Sequence, residues 1–333
     1  MMLMVSVQNL KEAQEAMKGR ADIIDVKNLQ EALVGSAKPE IFAAVRDAVP
    51  EAIHASLTLG VVPNQEGTVA MAVWAAGRMN ATSVKVGFMQ ADYDKSVEVL
   101  QASKDALAGT NTKLIGSLFA DNVLYEGGLD PHLMPRLARD GNCDGWLIDT
   151  LTKDGRNLFD FLSEAELRDM VLEGKSDGMS TALSGHLKMS DLDELARVNP
   201  DIVGVRGAVC SRGDRDNGVH GEAVDEFRRA VLARQSGDID VYAGVDSVDD
   251  VITTVSDGWV VIDGRGKTCA GVIAAISKQT ASDSKSFIEA ILADPLNIYD
   301  LIVWAEGEGH KLVTRRVDSD GSTRVLLEPF ASR

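Results

Sequence analysis

Three lysines lie within, or shortly after, apolar runs that have the length of buried strands. Lys27 follows Asp25 by two residues, Lys85 lies inside Ser-Val-Lys-Val-Gly, and Lys153 follows Asp149 by four residues. An ammonium group in an apolar strand is costly unless it is paired, so any one of these lysines could belong to a structural ion pair. Three lysines with two aspartates favour a catalytic cluster, because neighbouring cations lower each other's pKa and a neutral lysine attacks carbonyl carbons.

Small residues follow two later apolar runs. Ser184 and Gly185 end one run, and Arg206, Gly207 and Ala208 end the next. Backbone N–H groups in such turns can approach a phosphate closely, and the turns after strands seven and eight are the recurrent phosphate site of (β/α)8 barrels. We therefore expect these five residues to bind a substrate phosphate if the two runs are those strands.

Eight apolar runs alternate with helical segments over the first two-thirds of the chain. Strict alternation of doubly apolar strands with helices is typical of a parallel sheet, and eight units in about 230 residues favour closure into a barrel. Residues 1–234 are predicted to form a (β/α)8 TIM barrel, in preference to a doubly wound open sheet. The predicted strands are Leu3–Val7, Ala21–Val26, Ala52–Leu59, Ser83–Met89, Lys113–Phe119, Gly145–Leu151, Ser180–Leu187 and Asp201–Val209.

The remaining third of the chain changes in composition. Residues 235–257 are predicted to be a linker that contains a helix over Ser247–Thr254. Residues 258–333 follow the order βαβαββ, which predicts a small two-layer α/β sandwich. Gly266-Lys267-Thr268 resembles the end of a phosphate-binding P-loop, but Val261 stands where that motif requires glycine, so we reject this interpretation.

Composition limits the partners. The net charge of −17 disfavours nucleic acid and anionic membranes, and no apolar stretch is long enough to span a bilayer, so we expect a cytoplasmic protein. The three cysteines form no CxxC pair, which argues against disulfides and zinc. The five histidines show no ligand spacing, so we expect neither a metal nor a cofactor.

Four segments of the barrel region together resemble the (5-formylfuran-3-yl)methyl phosphate synthase family of methanofuran and methylofuran biosynthesis. They are ADIIDVKN at 21–28, KVG at 85–87, DT with KDG and LFDF between 149 and 161, and DIVGVRGA at 201–208. The resemblance implies a carbon–oxygen lyase that condenses two molecules of glyceraldehyde 3-phosphate, with loss of one phosphate and two waters, to form a furan.

The same resemblance implies individual roles. Lys27 would form the Schiff base, Lys85 would accept a proton, and Asp25, Asp149 and Lys153 would be polar residues of the pocket. The alternative is a class I aldolase acting on triose phosphates, because it would use the same lysine and the same phosphate site. We also expect a homo-oligomer.

The C-terminal region resembles TusA-like sulfur-carrier domains over about residues 258–328. Cys269 stands at the expected start of its first helix, where a thiol can be reactive, but Ala270 and Val272 replace the prolines that follow the cysteine in that family. The sequence therefore favours a docking, oligomerisation or regulatory role over that of a thiol carrier.

Overall fold

The structure is a computed structural model, and it describes residues 1–30, 35–152, 155–210, 218–239, 241, 252–256, 259–265, 267–282, 286–293, 296–318 and 321–330. The chain divides into two compact units, Met1–Val231 and Leu232–Arg333. Among the described helices, none combines the length and the apolar character that crossing a lipid bilayer requires.

The first unit is a closed barrel of eight parallel strands in sequential order, which confirms the predicted (β/α)8 fold. Parallel pairing of β1 with β8 closes the ring. The strands are β1 (Met2–Val7), β2 (Ile23–Val26), β3 (His54–Val61), β4 (Ser83–Phe88), β5 (Lys113–Phe119), β6 (Gly145–Asp149), β7 (Ser180–Leu183) and β8 (Ile202–Val205).

Each strand is followed by a helix. Several of these helices begin at a side chain that accepts a hydrogen bond from the first turn, as Asn9, Asp92 and Ser163 do, which fixes where each loop after a strand ends. The helices are α1 (Leu10–Lys18), α2 (Pro39–Ala48), α3 (Glu66–Arg78), α4 (Tyr93–Ala106), α5 (Met134–Asp140), α6 (Glu164–Ser176), α7 (Leu192–Val198) and α8 (Gly221–Gln235).

The interior of the barrel changes character along its axis. Its lower part is an apolar layer from five different strands, made of Met4, Ile23, Ile115, Leu147 and Ala182. The next inward positions towards the carboxyl ends of the strands are polar and charged, and they are also buried. This apolar layer therefore lies beneath the charged groups, and it weakens the solvent screening between them.

The second unit contains a five-stranded sheet in the order β12-β13-β11-β10-β9. Its strands are β9 (Ile252–Ser256), β10 (Trp259–Asp263), β11 (Phe287–Leu292), β12 (Lys311–Val317) and β13 (Thr323–Glu328), and its helices are α9 (Cys269–Ser282) and α10 (Leu296–Gly307). Buried residues of α9, α10 and the central strands share one apolar core, as the prediction of two layers required.

One prediction for this unit is wrong. β9 occupies Ile252–Ser256, where we predicted the end of a helix and of the linker, and it pairs antiparallel with β10. The segment reads Ile-Thr-Thr-Val-Ser, and its β-branched residues favour a strand over a helix. The order of elements is therefore ββαβαββ, and the TusA-like assignment stays a prediction.

Candidate active site

A buried ion pair lies at the carboxyl-terminal half of the barrel interior. Lys85 of β4 donates from Nζ to Asp25 Oδ1 of β2 at 2.6 Å, and both side chains are almost completely buried. Two hydroxyls of β3 complete the arrangement. Ser56 Oγ donates to Asp25 Oδ1 at 2.7 Å and accepts from Lys85 Nζ at 2.8 Å, while Thr58 Oγ1 lies 3.0 Å from each carboxylate oxygen. The pair is thus tightly hydrogen-bonded.

Opposing forces act on the protons of this pair. Burial lowers the pKa of the Lys85 ammonium and Lys27 lowers it further, and together they outweigh the attraction of Asp25, so this pKa lies below its ordinary value. Burial works to raise the pKa of the Asp25 carboxyl, but Lys85 and Lys27 outweigh it and lower that pKa. Asp25 therefore stays a carboxylate, and Lys85 loses its proton more readily than an exposed lysine does.

Lys27 follows β2 directly and is held much less tightly. Its Nζ lies 3.9 Å from Asp149 Oδ2, and Asp149 ends β6 with Oδ1 accepting from the amide of Thr150 at 2.8 Å. A separation of 3.9 Å is an ion pair without a hydrogen bond. Lys27 and Lys85 face one cavity, which is lined by Met4, Asp25, Lys27, Thr58, Gly60, Lys85, Gly87, Ser117, Phe119, Leu147 and Asp149.

A second cavity adjoins the first through Lys27 and Asp149. It lies at the ends of β7 and β8 and is lined by Ser6, Lys27, Leu29, Asp149, Ser184, Gly185, His186, Leu187, Gly204, Val205, Arg206 and Gly207. Four of the five residues predicted to bind phosphate are among these. Ala208 is not, and it lies in a short 3-10 helix at Gly207–Val209.

Two of the lining residues have features that suit an anion site. Gly185 has φ +117°, and a Cβ there would lie 2.8 Å from Thr150 Cγ2, so a side chain is excluded both by conformation and by space. The Ser184 hydroxyl is buried, and among the described residues it has no hydrogen-bond partner. A buried hydroxyl without a partner is destabilising unless a ligand or water supplies one.

Arg206 is engaged by a residue that the sequence reasoning missed. Its Nη1 and Nη2 donate to Glu12 of α1 at 2.7 and 3.0 Å, and Nη1 also donates to the carbonyl oxygen of Ser6 at 2.9 Å. This bidentate, buried contact connects the turn after β8 to α1. A direct contact between Arg206 and phosphate stays a prediction, and it would compete with Glu12.

The loop after β6 is held by another residue that we did not predict. Asp121, in the 3-10 helix at Ala120–Leu124 that follows β5, is fully buried and accepts hydrogen bonds from the amides of Leu151 and Thr152. Lys153, the third lysine predicted from the sequence, lies outside the described residues. The charged segment 211–215 lies outside them too.

Two further features are candidate sites: a cavity at the other end of the barrel, and Cys269 in the second unit. One large cavity lies at the opposite end of the barrel, where it is lined by first residues of strands such as Ser83, Lys113 and Ser180, but barrel enzymes act at the carboxyl ends. In the second unit, Cys269 is buried at the first position of α9, and Thr268 Oγ1 accepts from the amide of Gly271 at 3.0 Å.

In the described part of the chain, no His, Cys, Asp and Glu side chains cluster in a way that could hold a metal ion.

Comparison with known proteins finds relatives of the barrel region. The family model described as 4-HFC-P synthase matches residues 3–228. The chain is 40% identical over 221 residues to "(5-formylfuran-3-yl)methyl phosphate synthase" of Methanococcus maripaludis, covering 66% of this chain and 93% of the relative. It is 40% identical over 232 residues to the Methanobrevibacter smithii protein of that name, covering 68% and 98%.

Likeness to solved structures supports the fold alone. The ribulose-1,5-bisphosphate carboxylase/oxygenase of Pyrococcus horikoshii has a TM-score of 0.50 and 13% identity, over 71% of this chain and 58% of that one. The sequence relatives, by contrast, match almost their whole length within the barrel region.

Proposed function

The chain belongs to the 4-HFC-P synthase family, and from this we propose that it is a (5-formylfuran-3-yl)methyl phosphate synthase that condenses two molecules of glyceraldehyde 3-phosphate. The observation that carries the proposal is the pair of lysines, Lys27 and Lys85, which face one cavity that continues into a glycine-lined cavity at β7 and β8. A carbonyl substrate with a phosphate at one end fits an amine beside an anion site.

Lys27 is the proposed nucleophile. Its ion pair with Asp149 is 3.9 Å long, against the hydrogen-bonded 2.6 Å between Lys85 and Asp25, so less interaction is lost when Nζ bonds to carbon. Neutral Nζ adds to the aldehyde carbon of one triose phosphate, and the resulting carbinolamine loses water to give an imine. Asp149 lies close enough to take and return the protons of this exchange.

Lys85 is the proposed proton acceptor. Its lowered pKa and its place beside Asp25 suit it to remove the proton from the carbon next to the imine, which leaves an enamine. The electron pair of the enamine can expel phosphate by breaking a C–O bond, or attack the carbonyl carbon of the second triose phosphate. Cyclisation and loss of water complete the furan. Two triose phosphates then equal one furan phosphate, one phosphate and two waters, and no oxidant is consumed.

The retained phosphate is proposed to lie in the cavity at β7 and β8. The Ser184 hydroxyl and the backbone N–H groups of Gly185, Gly207 and Ala208 would donate to it. Four further inferences from the sequence stay predictions: a role for Lys153, a homo-oligomeric state, a cytoplasmic location and a reactive thiol at Cys269.

The test is chemical trapping on the full chain. The protein is incubated with glyceraldehyde 3-phosphate and reduced with borohydride, the labelled peptide is located by mass spectrometry, and furan aldehyde phosphate is assayed in parallel. We expect an adduct on Lys27 and a furan product. Lys27→Arg should lose both, whereas the matched control Lys175→Arg, at a buried lysine paired with Asp201 at 3.5 Å, should keep both.

Other outcomes decide between mechanisms. An adduct on Lys27 with a sugar phosphate product would replace the synthase proposal by the aldolase alternative. A folded protein that gives neither adduct nor product would rule out the lysine mechanism.

A further inference from the structure

Asp121 has a position that the proposed mechanism does not use. It lies two residues beyond the end of β5 and is 0% exposed. Its Oδ1 and Oδ2 accept from the amide of Leu151 at 2.9 and 3.1 Å, and Oδ2 accepts from the amide of Thr152 at 2.6 Å. Among the described residues, no lysine or arginine forms an ion pair with it.

The contact continues the sheet after the strands have separated. Phe119 and Asp149 are the last paired residues of β5 and β6, and beyond them β5 turns into a 3-10 helix. The N–H groups that follow β6 would then be buried without partners, which is costly. The Asp121 carboxylate accepts hydrogen bonds from both of these N–H groups, so one side chain fixes the backbone two and three residues after Asp149.

That backbone determines where the Asp149 carboxylate points. Asp149 Oδ1 accepts from the amide of Thr150, and its Oδ2 faces Lys27 Nζ at 3.9 Å. Asp149 lies two residues before Leu151, so a shift of the backbone that Asp121 holds would also shift the Asp149 carboxylate relative to Lys27. Displacements of about 1 Å near a reacting centre can cost about 100-fold in rate.

We propose that Asp121 is a positioning residue, which holds the end of β6 so that the Asp149 carboxylate stays beside Lys27. The inference rests on the proposed function, because it assigns Asp149 and Lys27 to the reaction. Asp121 itself has no contact with substrate in this proposal. Its effect passes through Asp149.

A double-mutant cycle in the full chain tests this route. Asp121→Asn keeps the size of the side chain but replaces one acceptor oxygen by an NH2 group that faces an N–H donor. We expect kcat for furan formation to fall about 10- to 100-fold, with KM changed less than about threefold. If Asp121 acts through Asp149, the double variant Asp121→Asn/Asp149→Asn should be within about twofold of Asp149→Asn alone.

The neighbouring residue provides a matched control. Asn122 is equally buried, but its Nδ2 donates to the carbonyl oxygens of Phe88 and Leu129 at 3.3 and 3.1 Å, away from β6. Asn122→Ala should therefore lower the melting temperature at least as much as Asp121→Asn does, and lower kcat much less.

Two results would overturn the inference while leaving the proposed function intact. One is a double variant whose loss is the product of the two single losses. The other is a loss of kcat in Asn122→Ala equal to that in Asp121→Asn at equal melting temperature. A wild-type protein without adduct or furan would instead overturn the proposed function itself.

Discussion

Removal of Lys85 and removal of Lys27 should affect stability very differently. In Lys85→Met the Asp25 carboxylate stays fully buried, and among the described residues it keeps only the hydroxyls of Ser56 and Thr58 as hydrogen-bond partners. Removing one partner of a buried ion pair costs about 3–5 kcal/mol, because the remaining charge is uncompensated. In Lys27→Met the lost ion pair is 3.9 Å long and has no hydrogen bond, so the loss in free energy of unfolding should be clearly smaller than in Lys85→Met. Both variants should lose furan formation.

The pH dependence of this difference identifies the group responsible. In the wild-type protein the lowered pKa of Asp25 means that its contribution to stability is present above the ordinary carboxyl pKa and is lost only as pH falls through the still lower folded value. In Lys85→Met, burial opposed only by the more distant Lys27 should raise that pKa. The folded variant then takes up a proton that the unfolded chain does not, so its deficit should shrink by about 1.4 kcal/mol for each pH unit below the raised value.

Hydrogen exchange in guanidinium is the suitable assay, because peptides from β2 and β4 report on the barrel by itself in a chain of two units. The measurement compares wild type, Lys85→Met and Lys27→Met between pH 5 and pH 8. Equal deficits in the two variants, or a deficit in Lys85→Met that does not change with pH, would refute the assignment of Asp25 and Lys85 as a coupled buried pair.

Three further predictions concern single side chains. Thr58→Val removes a hydroxyl from Asp25, and we expect the barrel to lose about 1–3 kcal/mol and kcat to fall several-fold, as measured by hydrogen exchange and by the furan assay. Gly185→Ala should raise KM for glyceraldehyde 3-phosphate at least about tenfold, because φ is +117° and the space is filled, whereas Gly178→Ala, with φ +73° in open space, should change stability but not KM. The pKa of His132 is raised, chiefly by its hydrogen bond to a neighbouring carboxylate. The stabilisation from protonated His132 should therefore be complete below about pH 6.5 and be lost as pH rises through the folded pKa. The difference in free energy of unfolding between wild type and His132→Gln, measured from pH 5 to pH 8, should show this fall.

Much of the barrel could be predicted because its strands are buried on both faces and so appear as short, mostly apolar runs. The ends of strands were harder to place. β7 stops at Leu183 although we predicted a strand as far as Leu187, because Gly185 turns the chain with a positive φ. β9 was missed because a short segment of five residues after a charged stretch gives little periodicity on which to choose between helix and strand.

The residues of the candidate site also differ in how well the sequence predicts them. Lys27 and Lys85 could be predicted, since a charge within an apolar run has few structural explanations. Ser56 and Thr58 carried a usable signal, because they alternate along β3 and so face the interior together. Asp121 carried none, because it occurs in a polar segment and becomes buried only through contacts with the end of β6.

The sequence predicts two lysines in one pocket, but their spacing does not indicate which is the nucleophile and which the proton acceptor. The geometry of the site bears on that assignment. If Lys85 formed the imine, its Nζ would have to give up hydrogen bonds with Asp25 and Ser56, at 2.6 and 2.8 Å in a fully buried site, whereas a proton acceptor can keep them. The same step at Lys27 gives up a looser contact with Asp149, at the point where the two cavities meet. The hydrogen bonds around Lys85 therefore favour Lys27 as the proposed nucleophile and Lys85 as the proposed proton acceptor.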